Sequence, residues 1–269
     1  MARIGKALLA ATLAITANAC TIERANEPLA GEWVDLTHDL APDSVFWPTA
    51  DEYRHEEVSH GHTPGGWFYS SYNIFLSEHG GTHLDAPIHF AEGRQTADAI
   101  PLDSLIGPAA VIDVSAASAA DRDYRFTVAD LENWESDNGP LPERAIVLFH
   151  TGFAKFWPDR KAYMGTDLRG EEGVANLHFS GLSDELARLL VERGVRAVGL
   201  DTPSLDYGQS QDFIAHRVLL DKDIPGFENV ANLDKLPAKG ATVIALPTKI
   251  AEGSGAPLRI VALVPKAQD

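Results

Sequence analysis

Short apolar runs recur along this chain, each rich in valine, isoleucine, leucine or aromatic residues and each closed by glycine, proline, asparagine or aspartate. The runs at 33–36, 72–76, 109–114, 145–149, 197–200, 242–246 and 258–264 predict strands. Helical spacing is clearest at 183–193, where Leu182, Leu186, Leu189 and Leu190 fall on one face. Ser183 suits the N-cap there, Asp184 and Glu185 the first turn, and Arg193 with Gly194 the end. That helix runs straight into the strand at 197–200, which makes an αβ unit. Further helices are expected at 127–134 and around 215–220. Strands outnumber helices without alternating strictly with them, so the pattern predicts a mixed-sheet α/β single domain over 33–269 rather than a doubly wound parallel sheet. The last two strands should return on each other across the glycine-rich stretch 252–257. The stretches 121–125 and 159–172 read as surface excursions.

The first residues follow a different rule. Arg3 and Lys6 precede an apolar run at 7–17 that is too short to span a bilayer, and Ala17-Asn18-Ala19 supplies small residues for cleavage. Residues 1–19 are therefore expected to be a signal peptide and 20–32 a flexible segment, with the protein exported to the periplasm. Cys20 is the only cysteine, which rules out an internal disulfide. Its place after the cleavage site fits either a lipid anchor or an incidental thiol. With 269 residues, 45% of them hydrophobic, the chain can build a sizeable core. The net charge of −17, with no lysine or arginine cluster, argues against nucleic acid as a partner.

The chemistry concentrates in EHGGTHLDAPIHF, residues 78–90. His79, His83, Asp85 and His89 crowd a stretch that Gly80, Gly81 and Pro87 keep from being a helix. On an extended segment His83 and Asp85, two apart, point the same way. Two imidazoles and a carboxylate suit a divalent metal with positions left open. Other catalytic patterns are missing. HGGTH has glycine where the HExxH motif needs its glutamate, and no G-x-S-x-G elbow, P-loop or G-x-G-x-x-G occurs.

HGGTHLDAPIHF closely resembles the H-x-G-T-H-x-D-x-P-x-H signature of the metal-dependent cyclase-like hydrolases, the superfamily of kynurenine formamidase and isatin hydrolase. Trp47-Pro48, the segment GLDTPSLDYGQSQDFIAHRVLL at 199–220, FENVANLDKLP at 227–237 and the closing stretch 240–265 resemble further elements of that family. The resemblance implies a swivelling β/β/α-type fold and a homodimer. It implies that His79, His83 and Asp85 hold the metal with His216 and Glu228, and that His89 is the acid/base. From the residues alone, His216 reads equally well as a helix-packing side chain and Glu228 as a surface carboxylate.

The expected reaction is hydrolysis of a cyclic or N-acyl amide, opened by metal-bound water in the manner of isatin hydrolase, with N-formylkynurenine hydrolysis the alternative. An exported metal-binding protein without catalysis is a third reading. Mixed imidazole and carboxylate donors without thiolate suit Mn2+ or Zn2+. Trp47, Trp67, Phe68 and Tyr69 are candidate walls for a small aromatic amide, lactam or ester substrate, while Tyr72 reads as ordinary core. His60 and His62 read as part of an exposed glycine-rich loop.

Overall fold

The computed structural model describes residues 30–266, so the signal-peptide stretch 1–19 and Cys20 lie outside the described residues. Among the described residues there are twelve strands: β1 (Gly31–Asp35), β2 (Arg54–His62), β3 (Phe68–Phe75), β4 (His83–Asp85), β5 (Ile106–Asp113), β6 (Arg125–Phe126), β7 (Ile146–His150), β8 (Gly181–Leu182), β9 (Ala197–Leu200), β10 (Gly226–Glu228), β11 (Lys239–Pro247) and β12 (Gly255–Pro265). The helices are α1 (Leu102–Leu105), α2 (Ser115–Ala120), α3 (Val128–Asn138), α4 (Arg160–Met164), α5 (Gly170–Ala175), α6 (Asp184–Glu192) and α7 (Ile214–Leu220). Every predicted strand and helix has a counterpart here. The first strand starts earlier than expected, because Gly31 and Glu32 pair with Pro265 and Val264.

Eight strands form one mixed sheet in the order β1-β12-β11-β5-β7-β9-β10-β4, and β4 also pairs with β12. That second pairing closes the sheet into a barrel, with β1 added outside the ring. Strands β5, β7, β9 and β10 run parallel, and β11, β12 and β4 antiparallel to their neighbours. The predicted return of the last two strands is present, with Thr242 opposite Leu263.

Alternation along the strands divides the core in two. Leu84, Ala109, Val111, Ile146, Leu148, Phe227, Val243 and Ile260 fill the barrel interior. Ala110, Ile112, Val147, Phe149, Val198 and Leu200 face outward against Leu131 and Trp134 of α3, Leu186 and Leu190 of α6, and Leu219 of α7. Burial on both faces is why β5, β7 and β9 read as unbroken apolar runs. Ser183 accepts a hydrogen bond from Leu186 N at 3.2 Å and caps α6 as expected.

Two expectations need correction. The stretch 159–172 is not merely a surface excursion: α4 buries Tyr163 and Met164 completely, in a third cluster with Val45, Phe153, Leu177 and Phe179. The stretch around His60 is not a loop but β2, which pairs with β3 in a separate two-stranded hairpin.

Candidate metal centre

Strand β4 is three residues long and turns its chemistry one way. Leu84 points into the barrel core, so the period-2 alternation sends His83 and Asp85 together to the other face. Antiparallel pairing sets His83 opposite Glu228 at the end of β10, while Asp85 lies opposite Gly226 and Gly255. The glycines before β4 have steric reasons. Gly81 has φ +62°, and a Cβ on Gly80 would sit inside the ring of Phe46, which bridges to it. Pro87–His89 forms a single 3-10 turn after β4, with His89 N donating to Ala86 O at 2.8 Å. His216 comes from α7.

All six residues expected at the site line one cavity of about 290 Å³. His79 Nδ1 lies 2.6 Å from Asp85 Oδ1. His83 Nε2 lies 3.3 Å from Asp85 Oδ1 and from Glu228 Oε2. His216 Nε2 lies 3.1 Å from Asp85 Oδ2 and from Glu228 Oε1. The two oxygens of Asp85 thus face different histidines.

The outer nitrogens show which way these rings present their lone pairs. His83 Nδ1 donates to Gly81 O at 2.9 Å, and that carbonyl also accepts from Asn229 Nδ2 at 2.7 Å. His216 Nδ1 donates to Asp206 Oδ2 at 2.6 Å. A neutral ring with its outer nitrogen protonated turns an unprotonated inner nitrogen toward the carboxylates. His83 Nε2 is fully buried and makes no hydrogen bond despite its two carboxylate neighbours. Acceptor facing acceptor at this range needs positive charge between them.

The titration of the cluster gives the same answer. Burial pushes His83 down, but the contacts with Asp85 and Glu228 outweigh it and raise the ring to about 10. His216 is also pushed down by burial, yet Asp206, Asp85 and Glu228 lift it well above the usual histidine range. Burial would raise Asp85, but the histidines around it hold it well below the usual carboxylate range. In place of those protons, a divalent cation fits the donor set: the ligand atoms of His83, Asp85 and Glu228 lie within 4.8 Å of one another.

His89 differs. Its ring stacks on His79 at 3.8 Å between centroids, and burial lowers it to about 4, so it is a neutral base at pH 7. Its nitrogen also lies within 4.8 Å of donor atoms of His79 and Asp85, which places it beside the cation site.

The cavity wall corrects the aromatic expectation. Trp47 lines it, together with Val45, Phe46, Phe90, Met164 and Phe213. Trp67, Phe68 and Tyr69 do not, because they belong to the tip and second strand of the β2–β3 hairpin, where they are 64%, 56% and 50% exposed. Tyr72 lies on the same hairpin, stacked on His55 at 4.2 Å rather than in the core. Residues that sequence reasoning missed include Asp206, Phe213 and Met164. Asp206 stands within the family-like segment 199–220, ten residues before His216, and that place in the segment was the available signal.

Residues 34–207 match the family model described as Putative cyclase. The chain is 33% identical over 251 residues to isatin hydrolase of Roseibium aggregatum, covering 88% of this chain and 93% of that protein. It is 31% identical over 233 residues to kynurenine formamidase of Salinibacter ruber, covering 85% and 95%. A crystal structure of an isatin hydrolase bound to the product analogue thioisatinate superposes with a TM-score of 0.80 at 32% identity, over 87% of this chain and 93% of that one.

Proposed function

The chain belongs to the cyclase family, and from that premise we propose that it is a metal-dependent hydrolase that opens the C–N bond of a small cyclic or N-acyl amide. The observation that carries this reading is the convergence of His79, His83, Asp85, His216 and Glu228 at the floor of an apolar cavity, with the neutral base His89 at its side. We propose Mn2+ or Zn2+ as the ion, since the donors are nitrogen and oxygen without thiolate. A divalent ion there supplies a Lewis acid that acidifies water and polarises a carbonyl.

The remaining steps fall to the chain. Asp85 and Glu228 supply the negative charge that retains the cation. The rings of Phe46, Trp47, Phe90 and Phe213 offer flat apolar surface on which an aromatic amide can lie. His89 takes a proton from the attacking water as the new C–O bond forms. It returns that proton to the nitrogen as the C–N bond breaks. Water is consumed and a carboxylate and an amine result, joined in one product when the amide is a ring.

A flat lactam such as isatin is the first reading, supported by the isatin hydrolase relative and by the flat rings of the slot. Met164 of α4 also lines the slot. N-formylkynurenine is the second reading, supported by the kynurenine formamidase relatives. The test is to load metal-free protein with Mn2+ or Zn2+ in parallel and follow loss of isatin and of N-formylkynurenine by absorbance. Metal-dependent loss of isatin supports the first reading and loss of N-formylkynurenine alone the second. Metal uptake without turnover of either would count against catalysis on these amides.

We further propose a homodimer. The β2–β3 hairpin exposes Val58, Trp67, Phe68, Tyr69, Ile74 and Phe75, and a two-stranded hairpin alone is only marginally stable in water. A second copy covering it would remove that apolar surface from solvent. Export is likewise a proposal, supported by the leader-like pattern at 1–19 and checked by cell fractionation with N-terminal mass spectrometry.

A further inference from the structure

We infer that Glu78 and Ser254 form a relay that holds the proton of His79 on Nε2 and thereby frees its Nδ1 to bind the cation, an inference that rests on the metal reading above. Ser254 comes from the turn before β12, far from His79 in sequence, and its hydroxyl lies between two partners. It donates to Glu78 Oε2 at 2.7 Å, and the Ser254 backbone N–H donates to the same oxygen at 3.0 Å. On its other side Ser254 Oγ lies 2.9 Å from His79 Nε2.

A serine hydroxyl has one hydrogen. Once that hydrogen is committed to the Glu78 carboxylate, Ser254 Oγ presents only lone pairs to His79, and the nitrogen facing it must carry the ring proton. The relay matters because His79 has a competing choice. Its Nδ1 lies 2.6 Å from Asp85 Oδ1, so a neutral ring left to itself would place its proton there and donate to the carboxylate. That tautomer would block the position where a cation must be bound. His83 and His216 have their outer protons fixed by Gly81 O and Asp206. Glu78, acting through Ser254, does the same for the third ring.

The surroundings keep Ser254 in register. Ala86 N donates to Ser254 O and Ala97 N to Gly253 O, both at 2.9 Å, and Gly255 pairs with Asp85 at the start of β12. A Cβ on Gly255 would come within 2.5 Å of His79 Cε1, so the turn lies directly against the ring. Glu78 and Ser254 are positioning residues; neither needs to touch substrate.

The test uses Zn2+ titration calorimetry of metal-free full-length protein, with long-range 15N–1H NMR to read the His79 tautomer. Wild type should bind Zn2+ with His79 protonated on Nε2. S254A and E78A should bind about 10- to 100-fold more weakly, the usual cost of losing an outer partner of a metal-binding histidine, with the His79 proton shifted toward Nδ1 in the metal-free state. E78Q retains an oxygen acceptor for both Ser254 donors and should recover most of the affinity. Thermal denaturation of each variant separates this effect from misfolding. Unchanged affinity and tautomer in S254A, with wild type binding normally, overturns the relay alone. Wild type that takes up neither Zn2+ nor Mn2+ overturns the metal reading and the relay with it.

Discussion

Replacing Asp206 by asparagine keeps the shape of the side chain and removes one charge, so its effect can be worked from contacts. Asp206 is 1% exposed. Its Oδ2 accepts from His216 Nδ1 at 2.6 Å and from His216 N at 3.2 Å, while Oδ1 accepts from Ala215 N at 3.0 Å. An asparagine has one oxygen for the two sides. If that oxygen stays with His216, the amide NH2 confronts the Ala215 N–H, donor against donor. A buried donor left without a partner costs about 1–3 kcal/mol, and hydrogen bonds to a charged group exceed neutral ones by about 1 kcal/mol. Asp206→Asn should therefore lower stability by about 2–4 kcal/mol, read by urea denaturation with chelator at pH 7. The weaker acceptor also makes His216 a poorer ligand, so cation affinity should fall by about 10- to 100-fold by calorimetry.

The pH dependence gives a second handle on the same variant. Burial alone would raise Asp206, but the hydrogen bond from His216 and the backbone donors hold it below the usual carboxylate range. Its contribution is thus present above the unfolded-state value and lost as pH falls through the lower folded one. Asp206→Asn should lack that part of the acid limb. Wild-type affinity together with stability within about 0.5 kcal/mol, the scatter of a neutral surface change, would refute the reasoning.

Three further outcomes are expected. His89→Ala should keep cation affinity within a few-fold and cut turnover by about 10²- to 10⁴-fold; equal loss of the ion would make His89 a ligand instead. His38 stacks on Trp157 at 4.4 Å with its Nε2 buried and unpaired, and burial lowers it to about 4. The folded chain then binds fewer protons than the unfolded chain below the ordinary histidine value, so stability should fall between pH 7 and 4 by on the order of 3 kcal/mol from this group. His38→Phe keeps the stack and should flatten that part of the urea-midpoint profile; an unchanged profile removes His38 as its source. Ile74→Glu, on the exposed hairpin, should convert a dimer to a monomer in light scattering without loss of fold, and a wild type that is already monomeric at micromolar concentration would end the dimer proposal.

The parts of this fold that could be read in advance are those whose residues face the same environment along their length. Strands β5, β7 and β9 are apolar throughout because both faces are buried, and α6 carries its leucines at one spacing because one face is. Strands β4 and β10 escaped because HLD and GFE are too short and too polar to resemble strands; their polarity is the site itself. His79, His83 and Asp85 announced themselves by crowding within seven residues. Asp206 did not, because only the fold sets it against His216 ten residues on, and Glu78 and Ser254 did not, because the sheet brings Ser254 to His79 across 175 residues. Trp67, Phe68 and Tyr69 misled for a related reason. Nearness in sequence to the metal loop placed them on a hairpin that leaves the barrel, whereas Met164 reached the cavity from a stretch that looked like surface.

The closing of the barrel at β4 has a consequence for how the protein matures. That strand is completed only when β10 and then β12 reach it, so a chain emerging from the ribosome carries His79, His83 and Asp85 long before their partners exist. Contacts so distant in sequence make late, slow steps in folding. Until β10 and then residues 255–257 dock, the early ligands have neither the second carboxylate, Glu228, nor Ser254 to orient them. Ion capture should then be a late act of assembly rather than a seed for it, and a nascent chain stopped short of β10, which lacks Glu228, should hold no ion at this site.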